Sequence, residues 1–255
     1  MPKPPWAVKW PDLREEPLPR HLAVIMDGNG RWAKSKGKSR LAGHREGAES
    51  VRTLARTCHQ LGLPAVTLYA FSTENWGRPK TEVSGLMELL KRFLKSELDE
   101  FLEKGIRLTT IGQTGRLPKG LQKSLKKFME KTAGGRNLIC NLALSYGSRD
   151  EITRAARAVA RKCLAGEIRP EEIDEDFFAS HLQTASLPEV DLVIRTSGEV
   201  RLSNFLLWQV AYAEMIFTPT LFPDFREDEL VSCLIEYQKR NRRFGLVPNG
   251  SEDKT

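Results

Sequence analysis

The stretch that decides the fold is LAVIMDGNGR, residues 22–31. Five apolar residues run without a polar interruption from Leu22 to Met26 and stop abruptly at Asp27-Gly28-Asn29-Gly30-Arg31. A strand with one wet face alternates, whereas an unbroken apolar run bounded by a turn reads as a strand buried on both faces, the signature of a parallel sheet. Similar runs follow at AVTLYAF (65–71), IRLTTIG (106–112), NLICNLALSY (137–146), DLVIRTS (191–197) and MIFTPT (215–220). Between them the periodicity turns helical, predicting helices over 43–61, 82–104, 119–131, 150–164 and 227–241, with a short one at 174–182. Strands interleaved with helices predict an α/β fold, a single domain with a mostly parallel sheet flanked by helices. Residues 1–20, rich in proline, read as an irregular leader, and 247–255 as a flexible tail, leaving 21–246 as the domain.

Composition agrees. Of 255 residues, 40 are Lys or Arg and 33 Asp or Glu, a net +7, and 40% are hydrophobic, which excludes a disordered chain. No apolar segment reads as a signal peptide or membrane span; the most apolar one, 204–217, is broken by Gln209 and Glu214. Cys58, Cys140, Cys163 and Cys233 lie far apart without a CxxC pair, so a cytoplasmic protein with reduced thiols is expected. The basic excess admits polyanionic partners without choosing among them.

In open parallel sheets ligands gather beyond the carboxyl ends of the strands. At the first such end, Gly28 and Gly30 let backbone N–H groups approach an anion, with Arg31, Arg40 and His44 as further donors. Gly28 to Ala33 also spells GxGxxA, but Asp27 would repel a pyrophosphate and the second strand ends without the acidic residue that a dinucleotide's ribose needs. Gly37-Lys38-Ser39 has Trp32 where a phosphate loop requires its first glycine. An acid beside an anion loop makes sense with a divalent cation between them, so Asp27 is a candidate Mg²⁺ ligand; a strand-end Asp capping a turn is the alternative. FSTENWGR (71–78) places hydroxyls, an amide, an aromatic ring and Arg78 at the second strand end, suited to an apolar substrate with a polar head or equally to capping a helix. At the fifth, Arg195, Arg201 and Ser203 surround a glycine-bearing turn and could grip a diphosphate. Glu214, following an apolar stretch, needs an arginine or a metal.

MDGNGRWA (26–33), AGHREGA (42–48), FSTENWGRP (71–79), IRTSGEVRLSNFLLWQ (194–209) and AYAEMIF (211–217) together resemble the cis-prenyltransferases, in order and spacing, over nearly the whole chain from His21 to Gly245. The resemblance implies a six-stranded sheet with an apolar product tunnel, a homodimer, and Mg²⁺-dependent condensation of isopentenyl diphosphate onto an allylic diphosphate, farnesyl diphosphate being the expected primer. The implied product is a long-chain cis-polyprenyl diphosphate such as undecaprenyl diphosphate, precursor of the lipid carrier for cell-wall peptidoglycan synthesis. A shorter-chain synthase and a non-catalytic partner subunit are the alternatives. Asp27, Asn29, Ser72 and Asn75 are the implied catalytic residues. Gly28, Gly30, Arg31, Trp32, Arg40, His44, Phe71, Trp76, Arg78 and Glu82 would hold or shape the allylic substrate. Arg195, Arg201 and Ser203 would hold isopentenyl diphosphate, Arg243 and Gly245 would reach a neighbouring subunit's site, and Asp27 with Glu214 would serve the metal. Loose peripheral contact with the inner face of the membrane is allowed for product release, and no nucleic-acid partner is expected. The chain departs from the family pattern at Val200, often polar in relatives, at Leu246 and at Gln113-Thr114-Gly115. Leu138, Cys140, Leu142 and Leu144 share one strand face, which reads equally as packing against a helix or as a tunnel wall with Leu138, on the order of 25 Å below Tyr146, as candidate floor.

Overall fold

A computed structural model describes residues 6–15 and 17–240. Six strands form one sheet: β1 (His21–Ile25), β2 (Ala65–Ser72), β3 (Ile106–Ile111), β4 (Leu138–Tyr146), β5 (Leu192–Arg195) and β6 (Glu214–Phe217). Their order is β3-β4-β2-β1-β5-β6 and every pairing is parallel. The chain builds outward from β1 first toward β2 and then, on the other side, toward β5. The gap between the ends of β1 and β5 is therefore the topological switch point, where open α/β sheets bind ligands.

Eight α-helices surround the sheet: α1 (Trp6–Lys9), α2 (Asn29–Ser35), α3 (Arg40–Gln60), α4 (Lys80–Glu103), α5 (Lys119–Thr132), α6 (Ser148–Leu164), α7 (Glu175–Ala179) and α8 (Glu227–Gln238). Alternation sorts the strand residues. Leu22, Val24, Val66, Leu68, Leu138, Cys140, Leu142, Leu144, Leu192, Ile194 and Ile216 join one core with apolar residues of α3, α4, α5 and α8. Ala23, Ile25, Ala143 and Val193 face the other way, packing with Phe205, Leu206 and Val210. A bulge in β2 between Tyr69 and Phe71 breaks the alternation, so Tyr69 serves the second core and Phe71 the first.

Most element boundaries fall within a few residues of expectation, and two segments differ. The segment read as an irregular leader carries α1 and buries Trp10 and Leu13 in the first core, where Gln238 of α8 donates to the carbonyls of Arg14 (2.8 Å) and Pro17 (3.1 Å). The DGNGR turn becomes α2, because Gly28 at φ +106° lets the chain reverse into a helix. The apolar stretch 205–213 is a chain of turns, its hydrophobicity serving the second core. Arg243, Gly245, Leu246 and the 247–255 tail lie outside the described residues. Among the described residues no helix is long and apolar enough to cross a membrane.

Candidate active site

At the switch point Ile25 of β1 pairs with Arg195 of β5, so the next residues of both strands meet above the sheet. One carboxylate oxygen of Asp27 accepts from Arg195 Nη2 (2.8 Å) and the other from the Gly28 N–H (2.7 Å), while Arg31 stands 3.8 Å away. Burial alone would push this carboxyl upward; the Arg195 and Gly28 hydrogen bonds and both arginine charges outweigh it and hold it below its ordinary range. Asp27 is therefore ionised at neutral pH, and its side chain is still 32% exposed. The Thr196 hydroxyl fixes its backbone, donating to the Asp27 carbonyl at 2.6 Å. A Cβ on Gly28 would stand 3.0 Å from both Leu221 Cδ2 and Ser197 Cβ, so both its φ and its surroundings call for glycine.

Arg195 is the buried centre of the site. Besides Asp27, it donates from Nη1 to the Ser203 hydroxyl (2.7 Å) and to the Arg201 carbonyl, and its Nε has no partner among the described residues. Arg31 donates to Ser197 Oγ (2.5 Å) and pairs with Glu199 (3.1 Å), and Arg201 also pairs with Glu199. Glu199 and Ser197 thus belong to the constellation although sequence reasoning gave neither a role; a small hydroxyl and an acid between two arginines was the available signal.

The helix pair α2–α3 sets the adjoining wall. A Cβ on Gly43 would lie 2.1 Å from the Asn29 carbonyl oxygen, and one on Gly47 2.3 Å from Asn29 Oδ1, so this glycine pair, four residues apart, lets α3 press against α2. Asn29 donates to the Met26 carbonyl (3.1 Å), and its buried Oδ1 has no partner among the described residues. Asn29 and His44 lie at the polar end of a cavity of about 170 Å³ with Asn75 and Arg78, and Leu86, Leu90, Phe93, Leu142 and Leu144 supply apolar wall. Burial, Arg78 and Arg40 lower the His44 imidazole to about 4 against the opposing pull of Glu82, so it is neutral at pH 7. Glu82 joins Arg78 (3.1 Å) to Arg40 (3.7 Å), and Arg40 lies over Gly30, where a Cβ would stand 3.1 Å from its Nη2. Phe71 and Trp76 meet edge to face at 5.0 Å, with the Trp76 indole donating to Ser145 (2.9 Å). Ser72 and Asn75 cap each other's turn, the Ser72 N–H donating to Asn75 Oδ1 at 3.2 Å.

Two expected residues stand elsewhere. Trp32 is buried and its indole donates to Asp224 (2.8 Å), which makes it an anchor for α2 rather than an open surface. Glu214 begins β6 in register with Leu192, at the amino end of the sheet, and pairs with Arg240 at 3.0 Å. Within one chain it is thus not beside Asp27, and its apolar neighbourhood is tolerated through the arginine. Among the described residues no three His, Cys, Asp or Glu side chains cluster as a metal cage. Leu138 is buried in the first core, but the cavity's wall from that strand begins at Leu142.

Residues 25–245 match the family described as putative undecaprenyl diphosphate synthase. The chain is 53% identical to an isoprenyl transferase of Chlorobaculum tepidum over 89% of its own length and 86% of the relative's. It is 50% identical to the farnesyl-diphosphate-specific ditrans,polycis-undecaprenyl-diphosphate synthase of Vibrio parahaemolyticus, covering 90% and 92% of the two chains. Among solved structures, lavandulyl diphosphate synthase from Lavandula x intermedia, in complex with dimethylallyl diphosphate, superposes with a TM-score of 0.88 at 39% identity, covering 89% of this chain and 98% of that one. A probable undecaprenyl diphosphate synthase from Campylobacter jejuni gives 0.74 at 36% identity, covering 90% and 99%. With this sheet order, this switch-point site and these matches along its length, the chain belongs to the undecaprenyl diphosphate synthase family of prenyltransferases.

Proposed function

We propose that this prenyltransferase condenses isopentenyl diphosphate onto an allylic diphosphate, farnesyl diphosphate by preference, to build a long cis-polyprenyl diphosphate such as undecaprenyl diphosphate. The observation that carries the reading is the junction of two unlike environments. A cluster of arginines around one ionised aspartate opens at the carboxyl ends of β1 and β5, and an apolar cavity runs beneath α3 and α4 from its edge. Diphosphates suit the first and a hydrocarbon the second.

Mg²⁺ fits Asp27, because this ion is commonly held by one or two carboxylates together with substrate phosphates, and Asp27 offers one ionised, partly exposed carboxylate without a full protein cage. When bound, the ion would neutralise negative charge on the departing diphosphate. This chain's residues do the rest. The N–H groups at the Gly28 turn and the Arg31, Arg40 and Arg78 guanidiniums hold the allylic diphosphate, while neutral His44 offers a donor without adding charge. Arg195, Arg201 and Ser203 hold the second diphosphate, the buried Arg195 acting from behind by fixing Ser203 and the Arg201 carbonyl. Asn29 lines the cavity, and its buried Oδ1, which has no partner among the described residues, lies against Gly47 of α3. Phe71 and Trp76 close the wall between the subsites and exclude water from the carbocation.

We place the catalytic domain at residues 21–246 with the preceding segment packed onto it through Trp10 and Leu13, working as a cytoplasmic homodimer that touches the membrane only to release product. Glu214 lies on the edge strand β6, so it would serve a metal site only in a partner copy, as Arg243 and Gly245 would. The product would feed the lipid carrier of cell-wall glycans. Incubating the purified protein with Mg²⁺, farnesyl diphosphate and radiolabelled isopentenyl diphosphate should yield labelled long-chain product that EDTA abolishes. A folded protein that incorporates no label would overturn the reading. A shorter product would be read from the same chromatogram.

A further inference from the structure

The loop carrying Ser203 is held in a costly shape. Ser203, Asn204 and Leu206 have φ of +49°, +63° and +47°, the left-handed region that side chains other than glycine and asparagine rarely adopt. Such backbone persists only where the surroundings over-determine it. Here the surroundings converge on Asn204. Its carbonyl accepts from the Ser148 N–H (2.8 Å) and its Oδ1 from the Arg149 N–H (2.9 Å), capping the first turn of α6, while its Nδ2 donates to Glu74 Oε1 (3.0 Å). Every polar side-chain group of Asn204 is thereby engaged. Gly147 is bare for the same reason, since a Cβ there would stand 2.7 Å from Asn204 Nδ2 and 2.6 Å from Thr73 Oγ1.

The two ends of this bridge belong to different halves of the site. Glu74 lies in the turn Thr73–Gly77 after β2, beside Asn75 on the cavity wall. Asn204 follows Ser203, whose hydroxyl holds Arg195. Resting on the function proposed above, we infer that Asn204 is a positioning residue, clasping the Glu74 turn to the Ser203 loop so that the diphosphate grip is held in register with the wall of the hydrocarbon cavity. Burial would raise the Glu74 carboxyl, but hydrogen bonds from Asn204, its own backbone, Ser72 and Thr73 hold it below its ordinary value, consistent with an ionised acceptor.

The test reverses the polarity of the clasp. Asn204→Asp keeps an acceptor for Arg149 and sets a carboxylate against Glu74. Adding Glu74→Gln returns a donor to the pair, this time from the opposite side. Asn204→Asp should raise KM for isopentenyl diphosphate about tenfold with a smaller change in kcat, and the double variant should return KM to within about threefold of wild type. Titration calorimetry with inorganic pyrophosphate, which needs no turnover, should show the same loss and recovery of affinity. Unchanged KM and affinity in Asn204→Asp, or a double variant no better than the single one, would overturn the clasp. Should Asn204→Asp fail to fold, Glu74→Ala, on an exposed residue, takes its place with the same expected rise in KM, and an unchanged KM there overturns it equally. If the wild type bound pyrophosphate in a clasp-dependent way yet made no polyprenyl product, the proposed function would fail while the clasp stood. A wild type that binds no pyrophosphate removes the grip and the clasp with it.

Discussion

The two faces of the sheet start from the same strands and are finished in opposite ways. On the α3–α4 face the side chains are apolar almost without exception, yet the packing stops short and leaves the cavity beneath Leu86, Leu90 and Phe93. On the other face polar residues cross the sheet in a buried ladder. Thr109 donates to Asn141 (3.1 Å), Asn141 to Thr67 (3.0 Å), and the Thr67 hydroxyl meets His21 Nε2 at 2.7 Å. His21 Nδ1 completes it at the Pro188 carbonyl (2.8 Å), which fixes the tautomer because a carbonyl only accepts. Above the ladder Tyr69 and Phe205 stack at 4.4 Å, and Tyr146 donates to the buried Glu151 (2.6 Å). A face built from directed hydrogen bonds has one arrangement, whereas a face of interchangeable aliphatic contacts can yield to a flexible chain. The difference supports the proposed function, which needs a yielding face for a hydrocarbon and a rigid one behind it.

The largest effect should come from the edge that both faces share. Asp27→Ala should lower kcat by at least about a thousandfold, as expected when the organising charge of a diphosphate site is lost, in a protein that stays folded with a lowered melting temperature because buried Arg195 loses its carboxylate partner. Normal turnover at saturating Mg²⁺ would remove Asp27 from the chemistry. Arg195→Ala comes next. It strips a charged donor from the grip and leaves Asp27 and Ser203 without their partner, so kcat/KM for isopentenyl diphosphate should fall by about 2 kcal/mol or more, roughly thirtyfold. A loss confined to the allylic substrate would reverse the division of subsites.

A pair of core truncations then separates the faces directly. Leu138 lies on the cavity face about 13 Å below Leu142, and Val193 on the laddered face, both buried. Leu138→Ala should cost about 2 to 5 kcal/mol and shift radiolabelled products toward longer chains, and Val193→Ala should cost less and leave their length unchanged. Equal product distributions would mean that the growing chain never reaches Leu138.

A last test concerns two histidines, the buried His21 on the laddered face and the half-buried His44 on the cavity face. His44 is lowered to about 4 and His21 is lowered chiefly by burial, against Pro188 and Asp191. In both, the folded protein resists a proton that the unfolded chain accepts near pH 6.5. Stability is therefore full above that pH and declines as pH falls toward 4, by up to about 3 kcal/mol for His44. His44→Gln should flatten part of that decline in the substrate-free protein, read from denaturant midpoints between pH 7 and 4. An unaltered slope would remove His44 from the effect and leave it to His21 and to carboxylates such as Asp27 and Glu74.

What the sequence determined by itself was everything carried by local pattern. The unbroken run Leu22 to Met26 specified a buried parallel strand, the alternation of runs and amphipathic stretches specified the layers, and the glycines and arginines after each run marked the carboxyl edge as the place for anions. Tertiary structure alone decided which of these residues meet. Nothing local to Asp27 says that Arg195 will stand 2.8 Å away, because that follows from β5 crossing to the far side of β1. Glu214 and Asp27 look alike in sequence, each an acid beside an apolar run; strand direction places one at the amino end with Arg240 and the other at the carboxyl end with the grip. The polar ladder was likewise invisible, since Thr67, Asn141 and Thr109 are unremarkable singly and become a unit only when neighbouring strands in register put them side by side. Local spacing sets period and burial over a few residues, while partners come from long-range pairing that no short window contains.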